Sequence, residues 1–211
     1  MLRKILVIFA VFISAFNFAS AVDDKEKIMT REDICIENFH KLFKAEPFPK
    51  GNDEEMLAIL QKYIFGEIFV TGNLDIKQRE LITVVSLSSM QTLPQLKSHI
   101  NAALNVGNTP LEIREAIYLC APFIGFPKTL NALSVLNEVF DERNIKTPLE
   151  HQTTIKEEER YSKGYEIQNP IYGDEIEKSL KGLPGNLDKK NGKIFNGSLL
   201  RRFLHKRNFR P

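Results

Sequence analysis

Apolar positions recur every three to four residues along most of this chain, and that spacing predicts helix almost throughout. Between Met56 and Phe69 the apolar residues fall at 57, 60, 64, 65, 68 and 69, one stripe of a helix, and Gly72-Asn73 ends it. Asp75 then stands as an N-cap with Gln78 three residues on, a capping box that opens a helix to about Met90. Val84 and Val85 are β-branched, but Leu81, Ile82, Leu87 and the length favour helix over strand. Pro94 fits the first turn of the next helix, which carries Leu96, Ile100, Ala103 and Leu104 on one face and stops at Gly107.

The sharpest start signal is Thr109-Pro110-Leu111-Glu112, which combines an N-cap hydroxyl, Pro at the first helical position and Glu at the third. That helix carries Ile113, Ala116, Ile117 and Cys120 and is expected to loosen around Pro122 and Gly125. Pro127 opens another through Leu130, Leu133, Leu136, Val139 and Phe140. No alternating strand pattern interrupts 54–143, so the core domain, placed at 22–145, is expected to be all-α. Beyond it, 146–160 is polar and reads as a linker, and Tyr161 to Leu180 regains helical periodicity at Ile167, Ile171 and Ile176. Pro184-Gly185, Gly192 and Gly197 punctuate a strongly basic end, which is expected to be a disordered tail.

Composition narrows the class. With 43% hydrophobic and 27% charged residues among 211, the chain can build a core and is neither disordered nor fibrous. Residues 1–21 read as a signal peptide: Arg3 and Lys4, an apolar run from Ile5 to Phe16, then Ala19-Ser20-Ala21 before polar Val22-Asp23-Asp24. The run is too short for a stable membrane anchor, so the expected location is periplasmic or secreted. Removing the leader takes two bases and no acid, which balances the 29 Lys+Arg against the 27 Asp+Glu. No overall pull towards nucleic acid or membrane then remains. Cys35 and Cys120 form no C-x-x-C pair. In an oxidising compartment they can bridge, but Cys120 lies in an apolar run and is read as a separate buried thiol, like Cys35.

Of four histidines, His151 and His205 fall in linker and tail, and His40 reads as a surface residue in a short amphipathic stretch. His99 differs. Glu80 lies about eleven residues before the turn at 91–93 and His99 about seven after it, so an antiparallel hairpin brings them within a turn or so of each other. A carboxylate beside an imidazole fixes its tautomer and raises its basicity, a workable proton-transfer pair. The competing reading is a solvated Glu and a His bonded to backbone. No metal-ligand cluster, phosphate loop or Ser-His-Asp pattern competes with the pair, and no cofactor or metal is expected.

Several stretches in order resemble one family: Phe65-Gly66-Glu67-Ile68-Phe69, Asn73-Leu74-Asp75, Arg79-Glu80-Leu81-Ile82-Thr83, Gln95-Leu96-Lys97-Ser98-His99-Ile100, Ala103-Leu104-Asn105-Val106-Gly107, Glu112-Ile113-Arg114-Glu115 and Gly125-Phe126-Pro127. They resemble the carboxymuconolactone decarboxylase family, within the alkylhydroperoxidase D-like superfamily. The resemblance implies a helical bundle built around a helix hairpin, assembly as a trimer or hexamer, and a site completed by a neighbouring subunit. Superfamily peroxidases carry E-x11-C-x2-C-x3-H. Here Glu80 and His99 keep the spacing, but Thr92 and Gln95 stand at the cysteine positions. Neither replaces a thiolate and its resolving thiol, which disfavours peroxidase chemistry.

What the resemblance leaves is a cofactor-independent decarboxylase-type reaction on a small carboxylated substrate, with His99 as acid/base and Glu80 orienting it. Arg79 is a candidate carboxylate clamp, Thr92 and Gln95 are candidate substrate contacts, and a cleft is expected near His99. Export counts against a substrate of intracellular aromatic catabolism. The alternatives are a peroxidase using Cys35 or Cys120 and a non-catalytic ligand-binding relative. Residues 160–180 resemble the lead-in to a second family copy, yet the chain then ends in Arg202-Phe203-Leu204-His205-Lys206-Arg207. Read one base later, one allowed codon choice for this end parallels 67–75, so 161–211 is expected to be a frameshifted, incomplete second repeat. A basic arm for an anionic partner is the alternative.

Overall fold

The structure is a computed structural model that describes residues 29–153, 155–181 and 184; the signal peptide expected at 1–21 and the basic tail lie outside the described residues. Helix α1 (Arg31–Phe43) begins at Thr30, whose side chain accepts from the Asp33 amide while the Asp33 carboxylate accepts from the Thr30 amide. Helix α2 (Glu54–Gly66) and a 3-10 turn (Ile68–Val70) follow. Next come α3 (Ile76–Met90), α4 (Leu93–Asn105), α5 (Pro110–Ile124) and α6 (Phe126–Glu142). After a 3-10 turn at Glu157–Glu159, α7 (Arg160–Tyr172) and α8 (Glu175–Leu180) complete an all-α chain with no β-strand among the described residues.

The starts are set by local chemistry. Asp75 with Gln78 opens α3, and Thr109 with Glu112 opens α5, each through a reciprocal capping box. Helices α3 and α4 form one antiparallel hairpin and α5 and α6 a second, packed together as a four-helix bundle of alkylhydroperoxidase D-like type. Its core is Val84, Leu96, Ile100, Ala103, Ile113, Ile117, Leu136, Val139 and Phe140. Each fully buried aliphatic of that size contributes roughly 1.5–3 kcal/mol before entropy is counted.

A smaller hairpin, α1 and α2, docks α1 on α4. Cys35, Leu42, Phe65 and Ala102 are buried there, with Phe39, Phe43, Phe48 and Phe69 around them. Gly66 permits this docking: a Cβ on it would stand 2.5 Å from the Arg31 carbonyl oxygen. The sequence pattern extends α2 to Phe69, but the regular helix stops at Gly66, where α1 crosses, and the chain tightens into the 3-10 turn. Helix α5 does not break at Pro122; that residue sits in the last turn and the helix runs on to Ile124.

The segment after α6 follows the bundle. Ile145 and Leu149 pack against the main core. Arg114 donates to the carbonyls of Leu149 (3.3 Å) and Glu150 (2.7 Å), so the first part of 146–160 is strapped down. Among the described residues no helix is long and apolar enough to cross a membrane, and no group of three His, Cys, Asp or Glu is placed to hold a metal.

Candidate active site

Glu80 lies in the second turn of α3 and His99 in the second turn of α4, facing each other across the hairpin. His99 Nδ1 is 2.9 Å from Glu80 Oε2. The Glu80 side chain is 0% exposed and that of His99 15%. A carboxylate only accepts, so with Glu80 ionised Nδ1 carries the hydrogen and Nε2 is the nitrogen left for chemistry. Among the described residues Nε2 has no hydrogen-bond partner. Glu80 Oε1 is buried and likewise accepts no hydrogen bond there. A buried carboxylate oxygen without a hydrogen-bond donor is costly.

The remaining expected site residues fall differently. Gln95 is one turn and Thr92 about two turns before His99 on the same edge of α4. Both are exposed, and neither side chain makes a hydrogen bond among the described residues. Arg79 is bound to the turn before α3. Its Nε donates to the Leu74 carbonyl at 3.0 Å, one terminal nitrogen to Ile68 at 3.0 Å, and the other to Thr71. Each nitrogen donates one hydrogen to a carbonyl and the guanidinium lies over the Phe69 ring, so Arg79 clasps the turn before α3, with two terminal N–H groups beyond those three bonds.

The pattern of motifs did not mark Phe43. Its ring meets the His99 ring at 5.5 Å between centroids and 83° between planes. The signal was present in the sequence, in the helical spacing of Cys35, Phe39, Leu42 and Phe43 behind the Thr30–Asp33 start. Cys35 and Cys120 are separate, buried, free thiols in different helices. Burial pushes both above the usual thiol value, in Cys35 against the pull of nearby Lys62. A cavity of about 310 Å³ lies elsewhere, between α5, α6 and the strap at 147–153, and shares no lining residue with the His99 pair.

The site is thus a helix hairpin that sets a buried Glu80 against His99, with no cysteine between them in the sequence. The chain belongs to the carboxymuconolactone decarboxylase family, whose model matches residues 54–138. It is similar to nitrosuccinic acid decarboxylase of Metarhizium robertsii, 30% identical over 129 residues, 58% of this chain and 87% of that one. It is also similar to 4-carboxymuconolactone decarboxylase of Acinetobacter baylyi, 26% identical over 93 residues, 44% of this chain and 69% of that one.

Proposed function

We propose that this protein decarboxylates a small acid without a cofactor, with His99 moving the proton and Glu80 orienting His99. The observation that carries this is the 2.9 Å contact between His99 Nδ1 and a fully buried Glu80, with Nε2 left unpartnered. Both relatives are named for decarboxylations, one of a nitro acid and one of a lactone acid. In such a reaction the C–CO₂ bond breaks, and its electron pair passes into a neighbouring nitro or conjugated carbonyl group. The product is completed by a proton delivered to carbon. The imidazolium form of His99 supplies that proton from Nε2, which leaves the neutral ring with its hydrogen on Nδ1 against Glu80, and solvent returns a proton to Nε2 while the Glu80 carboxylate stabilises the cation. Gln95 and Thr92, exposed on the His99 edge of α4, together with the remaining N–H groups of Arg79, are the polar groups for the substrate carboxylate.

The thiol route has little to support it, since a buried thiol raised above its usual value is a poor nucleophile. The leader-like pattern of 1–21 supports export with a mature start at Val22. Exposed apolar residues on α2 (Met56, Ile59, Tyr63) and at the α5–α6 corner (Phe123, Phe126, Leu130) support a homo-oligomer. The test is carbon dioxide release from 4-carboxymuconolactone and from nitrosuccinate, run in deuterium oxide. One deuterium on the product carbon, lost together with turnover in His99→Gln, is expected. Thiol-dependent peroxide consumption, or release unaffected by the substitution, would overturn the proposal.

A further inference from the structure

The His99 ring is held on two sides. Nδ1 rests on Glu80, and the ring meets Phe43 nearly at right angles. An imidazole turns readily about its Cβ–Cγ bond, with two broad positions that exchange Nδ1 for a carbon. The Glu80 bond alone must therefore resist a swing that would place carbon against a buried carboxylate and turn Nε2 elsewhere. A ring packed edge to face at 5.5 Å obstructs that swing.

Phe43 is itself fixed. It packs on Phe39 at 4.7 Å and Phe65 at 5.5 Å, and Phe65 passes the contact to Phe69 at 5.2 Å. The backbone beside it is tied to the helix that carries His99, because Asn105 of α4 donates to the Leu42 carbonyl at 2.7 Å. Asn38 of α1 donates to the Phe65 carbonyl at 2.8 Å, and Cys35 and Leu42 are fully buried. The same helix thus carries the imidazole and sets the register of the ring that braces it. Helix α1 ends at Phe43, before residue 54, where the match to the family model begins.

We infer that Phe43 is a positioning residue for His99, and that α1, outside the matched family core, is a working part of the site. This deepens the acid/base reading of His99 and rests on it. The readout is nitrogen-15 NMR of the imidazoles in the purified full chain, which needs no substrate. Wild-type neutral His99 is expected in a single tautomer with hydrogen on Nδ1. Phe43→Ala is expected to mix the tautomers and lower kcat about 10- to 100-fold with a smaller change in KM. Phe43→Tyr keeps a ring and is expected to restore both.

Phe39→Ala is the control, because Phe39 touches Phe43 and Phe65 but has no ring contact with His99. It is expected to lower the melting temperature while leaving the His99 tautomer as in wild type. If Phe43→Ala does not fold, Phe43→Leu removes the ring at smaller cost in volume and decides the matter. A wild-type tautomer in the ring-less variant, an equal disturbance from Phe39→Ala, or no recovery in Phe43→Tyr would overturn the inference. Absence of turnover in wild type would remove the decarboxylase reading and leave the NMR result standing.

Discussion

His99, Glu80 and the two cysteines divide the chemistry between them. The imidazole is partly open and oriented by a buried carboxylate, whereas both thiols are enclosed and raised by burial. Native protein at pH 8 is therefore expected to react with a thiol reagent only as fast as it unfolds, with both cysteines labelling promptly in denaturant. Fast labelling of a native cysteine would revive the thiol alternative. The sign of the pH effect follows: below the usual thiol value, folded and unfolded thiols are both protonated and cost nothing. Above it, the unfolded thiols ionise while the folded ones do not, so stability falls as pH climbs past the usual value towards the raised one. A chemical denaturation series from pH 7 to 10 checks this, with the midpoint falling less in a Cys35→Ala, Cys120→Ala double variant. The Glu80–His99 pairing was legible because a hairpin converts sequence distance into facing positions. What the sequence did not show of Arg79, expected as a carboxylate clamp, is that it also holds the turn beside it through the carbonyls of Ile68, Thr71 and Leu74.

The helices show which local signals suffice. Capping boxes at Asp75 and Thr109 set the starts of α3 and α5 in sequence and structure alike, because the cap satisfies its own helix end and needs no tertiary partner. Where α2 stops was not legible, since it depends on α1 crossing Gly66. Helix α1 itself was not read from the sequence: its box uses Asp rather than Glu or Gln at the third position. At this scale Gly66→Ala is informative. Its added Cβ meets a backbone oxygen at 2.5 Å, so α1 must shift. A loss of roughly 1–3 kcal/mol is expected by denaturant melt. A loss of activity larger than that destabilisation explains is also expected, because α1 carries Phe43. An unchanged melt would show that α1 does not dock as described.

For the whole molecule, apolar residues are left exposed on α2 (Met56, Ile59, Tyr63) and at the α5–α6 corner (Phe123, Phe126, Leu130), the faces on which the proposed assembly rests. Light scattering on the purified mature chain is expected to give a multiple of the monomer mass. A charge placed on the stripe, as in Ile59→Lys, is expected to shift the protein towards monomer. A monomer in the unaltered protein would contradict the assembly proposal. The fold class was legible at this scale because every periodic segment agreed on helix. How the segments assemble into larger units was not, because exposed apolar faces carry no record of what covers them.

The most direct measurement is the rate at which ultraviolet absorbance of 4-carboxymuconolactone decays with wild type, Glu80→Gln and His99→Gln, at matched folded fraction. His99→Gln is expected to lose about 10²–10⁴-fold in kcat, the usual worth of a positioned acid/base. Glu80→Gln is expected to lose less, since the amide oxygen can still accept from Nδ1 but carries no charge to stabilise the imidazolium. Wild-type turnover that survives His99→Gln undiminished would contradict the central claim.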